Sequence, residues 1–310
     1  MLLVVLKRLL VLPFVLFGVS LALFIVTNVV PSDPVRLIVG DSVTPEVREN
    51  ITRSLGLDQP LHVQYYRYLE RLVTGDLGES LRYATPVRTL LFSAFPATML
   101  LVAVAAVFVI LLAFPIGFLA AKFRDSWIDV SVRTFAMVGI ATPAFYLGII
   151  AILVFGFYLG WFPISGRGDP PDLWHLILPG LVLGIRDAGS TARVFRAALL
   201  DSLSEDYIRA ARARGIPERT VVGKLAARNA LIPTVTDMGL SFAQLSGQVI
   251  LIETVFAYPG VGRLLHIGIV WNDFPLVAGS VMLLIVYVVV INLIVDLLYR
   301  AIDPRVRAIA

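Results

Sequence analysis

The sequence predicts an all-α polytopic membrane protein with six transmembrane helices. Hydrophobic residues make up 58% of the 310 residues and charged residues only 15%, which is too apolar for an ordinary soluble domain. A transmembrane helix needs about 20 apolar residues, and six such runs fit in this chain together with their loops. In chain order, the six runs are Leu9–Val30, Ala94–Ala121, Val132–Leu159, Leu173–Ala192, Ala230–Ile252 and Phe274–Leu298.

The distribution of basic residues predicts that both termini are cytoplasmic. Between the fourth and fifth runs, residues 193–229 hold eight basic and four acidic residues. In the short loops on the opposite side, the only basic residues are Arg167 and Arg263. Basic residues also precede the first run and follow the sixth. The positive-inside rule therefore places both termini and the 193–229 loop in the cytoplasm.

The long segment after the first run is predicted to form two short helices outside the cytoplasm. Residues 44–46 have the order of an N-cap, a first helical proline and a first-turn acid, and Gly56 follows as a stop. A second helix is predicted over 61–73, ended by Gly75. The chain thus divides into three parts, which are the N terminus with the first helix (1–30), the extracytoplasmic helical segment (31–93) and a five-helix core (94–310).

Motifs for nucleotide binding and hydrolysis are absent from the sequence. It contains no GxxxxGK[ST] phosphate loop, no GxGxxG before a helix, no HExxH, no GxSxG and no cysteine. The three histidines are far apart in the sequence, without partners at metal-ligand spacing. We therefore expect no catalytic residue, no metal site and no cofactor site. The basic loop also lacks the regular interleaving of aromatic and basic residues that is expected of a nucleic-acid groove.

Charged residues inside apolar runs are costly in lipid and therefore mark candidate functional positions. Asp187, next to Arg186 in the fourth run, either lines a wet cavity or bonds to neighbouring helices, and both interpretations stay open. Asp237 and Asp296 are expected near the cytoplasmic ends of their runs, where structural bonding is the favoured role.

A second group of candidates lies at the outer end of the fifth run. Glu253 ends that run, and the turn Tyr258-Pro259-Gly260 follows it. Together with Asp187, these four residues are our candidates for the pathway or for an outer gate.

The cytoplasmic stretch from Glu205 to Gly215 predicts a short charged helix. Two acids occupy its first turn, and Arg212 and Arg214 occupy its last, which suits the helix dipole. Gly215 is expected to end the helix. Pro217 then opens a second short helix, and a later proline, Pro233, is expected to mark the entry into the fifth run.

Ala210 and Ala211 leave a bare patch on this charged helix, flanked by Arg209 and Arg212. Such a patch lets a helix fit a groove on another protein, with the arginines fixing its register. The alternative is an amphipathic helix that lies on anionic lipid headgroups. Its apolar face, which includes Tyr207, is small for that purpose, so we favour docking to a partner protein.

The pattern of Arg209-Ala210-Ala211, Gly215 and later Pro233 resembles the EAA loop of ABC-importer permeases. Arg209 stands where that loop generally has Glu, and the gap from Gly215 to Pro233 is longer than in the general consensus. Both features are usual in the dipeptide and oligopeptide branch of the family. Further segments resemble that branch along nearly the whole chain, at 55–65, 75–78, 142–143, 178–180, 253–262 and 296–305.

The resemblance implies a type I ABC-importer permease fold and the role of the first of two paired permeases in a cell (inner) membrane. The implied partners are a second permease, two ATP-binding subunits, an extracytoplasmic substrate-binding protein and membrane lipid, with no nucleic acid. ATP and Mg²⁺ would be bound by the partner ATPases, so this chain is not expected to be an enzyme. The implied ATPase-coupling residues are Glu205, Asp206, Tyr207, Arg209, Ala210, Ala211, Arg212 and Gly215.

The resemblance leaves the substrate open, because family members carry dipeptides, longer peptides, glutathione, nickel complexes and some oligosaccharides. We favour di- and oligopeptides.

An ion-coupled secondary transporter would instead use mid-membrane acids at a repeat interface. An intramembrane hydrolase would need a paired nucleophile and base. Both alternatives are disfavoured because most acids fall near the ends of the runs, and because Asp187 and Asp296 are expected at different depths.

Overall fold

The computed structural model describes residues 2–29, 44–54 and 58–302, which are helical apart from one short β-hairpin, turns and loops. The hairpin pairs two antiparallel strands of two residues each. The elements are α1 (Leu2–Val29), α2 (Pro45–Ser54), α3 (Leu61–Val73), β1 (Glu79–Ser80), β2 (Thr85–Pro86), α4 (Val87–Lys122), α5 (Trp127–Ala141), α6 (Ala144–Ala151) with π-helical turns (Ile152–Tyr158), α7 (Trp174–Ser204), α8 (Asp206–Ala213), α9 (Glu218–Thr220) with π-helical turns (Val221–Ala226), α10 (Ala227–Val255), α11 (Val261–Val270) and α12 (Phe274–Ile302).

These elements form two compact units. The first comprises Thr98–Pro259 together with the part of α12 that begins at Val290. Within it, α7 packs most extensively against α10 and next against α5. The second comprises the described residues up to Ala97 together with Gly260–Val289.

Length and apolar composition identify two membrane-spanning helices among the described residues, Val87–Lys122 and Phe274–Val295. The pair 127–139 and 144–158 would be a third span, bent by 106°. The sequence analysis predicted one uninterrupted run here. Pro143 breaks it because proline disfavours a helical conformation of the preceding residue, and Thr142 is extended (φ −90°, ψ 129°). The count of six spans stays a prediction.

The helices α7 and α10 are long enough to cross a membrane, but charged side chains interrupt their apolar character. The stretch 193–229, which was treated as a loop in the sequence analysis, begins with helix, because α7 continues to Ser204 with no intervening glycine or proline. The predicted entry into the fifth run is displaced. α10 begins at Ala227, so that Pro233 lies inside the helix.

Glycines give α7 a face that neighbouring helices approach closely. A Cβ atom at Gly180 would lie 2.6 Å from Val104 Cγ1, and a Cβ atom at Gly184 would lie 2.7 Å from the backbone oxygen of Ala105. Gly189 meets the backbone of α5 in a similar way. Small residues at four-residue spacing let helix backbones come together in a membrane, where packing rather than the hydrophobic effect holds helices in contact.

An ion pair joins α5 to α7 in the first unit. Arg196 donates hydrogen bonds of 2.6 Å to each carboxylate oxygen of Asp129, which is fully buried. The Arg133 guanidinium lies 3.4 Å from the same carboxylate, and the Asp125 N–H donates to it at 3.2 Å. Paired geometry with extra hydrogen bonds is what offsets the cost of burying charge.

In the second unit, Asp273 fixes the hairpin to the beginning of α12. Its buried carboxylate accepts hydrogen bonds from the Ser80 hydroxyl and from the N–H of Arg82 (3.0 Å). It also accepts one from the N–H of Leu276 (3.2 Å), the third residue of α12, which is the geometry of an N-cap. The sequence analysis did not predict this hairpin.

The structure confirms the two helices predicted in the segment 31–93. α2 begins at Pro45, and α3 spans Leu61–Val73 as predicted. Gly75, the predicted stop, has φ +76°, the left-handed conformation that glycine adopts without steric cost. The stop predicted at Gly56 lies outside the described residues, as do residues 303–310.

The glycine face of α7 generates a stability prediction. Gly184→Ala places a methyl group against the backbone of α4, and overpacking of this kind costs about 1–3 kcal/mol. We expect a lower Tm of the detergent-purified protein. Gly247→Ala is the matched control, because a Cβ atom there meets nothing within 4 Å. Equal Tm values for the two variants would contradict close packing at Gly184.

The buried ion pair generates a second prediction. Asp129→Asn leaves the Arg196 guanidinium, whose side chain is only 16% exposed, without its carboxylate. Removing one partner of such a pair costs about 3 kcal/mol, so the Tm should fall by several degrees. Asp125→Asn is the control, since Asp125 and its partner Arg124 are mostly exposed. The double variant Asp129→Leu/Arg196→Met should recover part of the loss; no recovery would count against the pair.

Candidate functional site

The helix α8, which follows α7 directly, has the local features that the sequence predicts for a short charged helix. Glu205 precedes it in an extended conformation (ψ 151°), and its carbonyl accepts the N–H groups of Ile208 and Arg209. Asp206 lies in the first turn and Arg212 in the last, so both charges are favourable with the helix dipole.

Gly215 ends α8 through a Schellman motif. It has φ +72°, and its N–H donates to the carbonyl of Arg212 (3.0 Å). The N–H of Ile216 reaches back to the carbonyl of Ala211 (3.2 Å), which completes the motif. The predicted stop at Gly215 is therefore confirmed, and the conformation it adopts is one that a β-branched residue avoids.

One face of α8 is buried in the first unit. Ile208 is 0% exposed and Ala211 is 6% exposed, and both belong to an apolar cluster with Phe195 and Leu199 of α7. Val221 of the adjacent π-helical turns completes this contact. The cluster therefore holds α8 against the C-terminal end of α7.

The opposite face of α8 is exposed. It carries Asp206, Arg209, Ala210 and Ala213. The sequence analysis placed Ala210 and Ala211 in one bare patch, and this is wrong for Ala211. Successive helical residues point about 100° apart, so one alanine faces outward while the next packs on the cluster. The face open to a partner is therefore narrower than predicted.

Polar contacts hold the ends of α8 in place. The Arg212 guanidinium donates to both carboxylate oxygens of Glu218, at 2.7 and 3.2 Å, and this hydrogen bonding lowers the pKa of the Glu218 carboxyl. Arg209 pairs with Asp206 on the exposed face. Tyr207, which is partly exposed, accepts a hydrogen bond of 2.8 Å from the Asn229 side chain on α10.

A groove of about 290 Å³ lies beside α8. Asp201 and Glu205 give one side of it negative charge, and Tyr207 and Pro233 give it apolar surface. The groove therefore has the shape and the negative charge to contact a partner protein. Among residues 2–29, 44–54 and 58–302, no three His, Asp or Glu side chains are grouped as metal ligands would be.

Glu253 and Tyr258, two of the candidates at the C-terminal end of α10, are packed inside the protein. Glu253 is fully buried and accepts a hydrogen bond of 2.6 Å from the Thr98 hydroxyl. Its backbone carbonyl accepts the N–H of Tyr258 (2.8 Å), and the Tyr258 side chain is also fully buried. Pro259 is exposed, and Gly260 is the residue before α11. In this conformation Glu253 and Tyr258 do not line an open passage.

Asp187 lies in the middle of α7 and is 4% exposed. One turn further along, Thr191 donates a hydrogen bond of 3.2 Å to Asp237 on α10. Asp237 is ten residues beyond the beginning of α10, and its place near the cytoplasmic end of the fifth run stays a prediction. The side chain of Asp296 lies outside the described part of the chain.

The sequence analysis missed Asp129 and Arg196 as a pair. Arg196 was counted only as one of the eight basic residues between 193 and 229 that set the topology. The four-residue spacing of Asp129 and Arg133 was a signal that these charges share a helix face. No local pattern connects either of them to Arg196, which is 67 residues away in sequence.

Two sequence profiles match most of the chain. The profile of binding-protein-dependent transport system inner membrane components matches residues 113–308. A second profile, for the N-terminal part of binding-protein-dependent transport system membrane components, matches residues 1–102. Both describe transport permeases rather than a catalytic family.

Named relatives are similar over nearly their whole length. The probable D,D-dipeptide transport system permease protein of Escherichia coli strain K12 is 42% identical, over 94% of each chain. The glutathione transport system permease proteins of Escherichia coli O6:H1 and of strain K12 are each 43% identical, over 98% of each chain.

The fold also has a counterpart among solved structures. A chain of the MetNI methionine ABC transporter in an inward-facing conformation is similar with a TM-score of 0.56 at 21% identity, covering 69% of this chain and 96% of that chain. This similarity confirms the predicted type I ABC-importer permease fold. The chain therefore belongs to the family of binding-protein-dependent transport system inner membrane components and is a permease subunit of an ABC importer.

Proposed function

We propose that this chain is the first of two paired permeases of a peptide importer and that α8 couples it to an ATP-binding subunit. A second permease, two ATPases and an extracytoplasmic binding protein complete the proposed assembly. ATP and Mg²⁺ bind to the ATPases, and this chain binds no cofactor. The observation that carries the coupling role is the two-sided character of α8, which is fastened on one face and exposed on the other.

The attachment of α8 explains how force would pass into the membrane. A partner that moves the exposed face at Ala210 also moves Ile208 and Ala211, because these side chains are packed against Phe195 and Leu199 of α7. Close-packed side chains transmit displacement rather than absorb it. α7 is a continuous helix of 31 residues, so its cytoplasmic end and its centre move together.

The peptide assignment rests on the two relatives above. One is named for D,D-dipeptides and the other for glutathione, which is itself a peptide with an unusual linkage. Because both are similar over nearly the whole chain, a short peptide is the substrate class that fits both. Glutathione is the second candidate, favoured by its relative of 43% identity.

The proposed orientation places both termini and α8 in the cytoplasm. It is supported by the eight basic residues between 193 and 229, which the positive-inside rule assigns to the cytoplasmic face. That side is also where ATP is available to the partner ATPases.

The whole assembly, reconstituted in liposomes with its binding protein, tests the proposed function. We expect uptake of a labelled dipeptide to require ATP and to persist when a proton ionophore is added. Competition by unlabelled glutathione or by longer peptides then separates the substrate candidates. Uptake that the ionophore abolishes while ATP remains would instead indicate an ion-coupled transporter.

The Schellman motif generates a prediction about coupling. Gly215→Val forces a β-branched residue into the left-handed region at a cost of about 1–2 kcal/mol, which disturbs the end of α8 without touching any core contact. We expect normal membrane insertion and a several-fold loss of substrate-stimulated ATP hydrolysis. Gly215→Asn is the control, because asparagine tolerates this conformation. Normal stimulation in the valine variant would argue against a coupling role for this turn.

The two alanines of α8 generate a second prediction, in which neighbouring substitutions have opposite effects. Ala210→Trp adds bulk to the exposed face, so we expect an unchanged Tm of the isolated permease pair but strongly reduced ATPase stimulation and uptake. Ala211→Trp overpacks the cluster beneath α8, so we expect a lower Tm. If Ala210→Trp retained full coupling, docking through this face would be excluded.

A further inference from the structure

The pairing of α7 with α10 brings two carboxylates of the first unit together. Asp187 and Thr191 are four residues apart on α7 and share a helix face. Thr191 donates its hydroxyl hydrogen bond to Asp237 Oδ2. This hydrogen bond places Asp237 of α10 beside the face of α7 that carries Asp187.

Asp187 is unusual among the buried acids of the first unit because one of its oxygens is left over. Asp129 is paired with Arg196, and Glu253 accepts a hydrogen bond from Thr98. By contrast, Asp187 Oδ2 is buried and has no hydrogen-bond partner within the described residues. A buried acceptor in that state costs free energy unless a ligand or another conformation satisfies it.

The local charge indicates what kind of ligand would satisfy Asp187 Oδ2. The charged groups that act on Asp187 are the Asp237 carboxylate and the guanidinium of Arg186, which lies next to Asp187 in α7. Three ionised groups would leave one negative charge in excess. A single cationic group that donates hydrogen bonds would balance the charge and satisfy the free oxygen at the same time. Asp237 is only partly buried, so it is the accessible member of the pair.

We propose that Asp187 and Asp237 form a subsite for the terminal ammonium group of a transported peptide. The proposal rests on the proposed peptide function, since an unmodified linear peptide carries one ammonium group at its N terminus. An ammonium group has three donors, enough to reach Asp187 Oδ2 and the Asp237 carboxylate together. The buried hydroxyl of Thr191 holds the Asp237 carboxylate in position for this contact.

The subsite is tested on the complete transporter in detergent, without its binding protein, so that selection by the binding protein does not contribute. The probes are alanyl-alanine amide, which keeps the ammonium group and lacks the carboxylate, and N-acetyl-alanyl-alanine, which has the reverse. A ligand that binds the folded state raises the Tm in proportion to the logarithm of its concentration over Kd. We expect the amide at millimolar concentration to raise the Tm and the acetylated peptide to have no effect.

Variants then locate the effect. Asp187→Asn and Asp237→Asn should each weaken the apparent affinity for the amide about tenfold or more, because a charge-assisted hydrogen bond is lost. Asp125→Asn removes an exposed carboxylate elsewhere and should leave the shift unchanged. Asp187→Asn should not lower the Tm of the ligand-free protein, since Asp187 Oδ2 has no hydrogen bond to lose. A lower ligand-free Tm would indicate a structural role instead.

Three results would overturn the subsite, and they are distinct from failure of the proposed function. These are a shift with neither probe, an equal shift with both probes, and a shift that survives in Asp187→Asn. If dipeptide uptake by the wild-type assembly is observed alongside any of them, the importer assignment stands and only the subsite is wrong. If uptake itself is absent, the peptide assignment is wrong.

Discussion

The burial of Ile208 and Ala211 against α7 is the contact on which the functional architecture depends. A short helix of eight residues has too few hydrogen bonds to persist alone in water, so α8 owes its stability to this packing. The same packing decides which side chains are free for a partner. It also joins α8 mechanically to Phe195 and Leu199, and without that connection a movement of α8 would have no defined consequence for the rest of the first unit.

Among the described residues, the buried acidic side chains show a consistent pattern with one exception. Asp129 is satisfied by Arg196, Glu253 by Thr98, and Asp273 by Ser80 and by backbone N–H groups. Each therefore fixes one element against another within its own unit. Asp187 does not fit this pattern, because its free oxygen fixes nothing. A group that costs free energy without fixing the fold is better explained by a functional state in which it is satisfied.

Features set by a few neighbouring residues were predictable from the sequence. The bounds of α3 and the turn at Gly215 follow from local capping and from the need for positive φ. Features set by tertiary packing were not. The 106° angle of the bend beside Pro143, and which of the two alanines of α8 is buried, depend on which neighbours pack on each face. An apolar run in sequence does not specify those neighbours.

The position of Asp187 on α7 connects ligand binding at Asp187 to the movement of α8. Asp187 and Leu199 are twelve residues apart on one continuous helix, a distance of about 18 Å. Glycines at 180 and 184 let the N-terminal half of that helix approach α4 closely. A ligand shifts a conformational equilibrium only by its difference in affinity between the states. α7 carries both the Asp187 carboxylate and the side chains on which α8 packs. A movement of α8 that changes the spacing of α7 and α10 therefore also changes the affinity of the Asp187–Asp237 subsite for its ligand. Reciprocally, the bound ligand biases the position of α8.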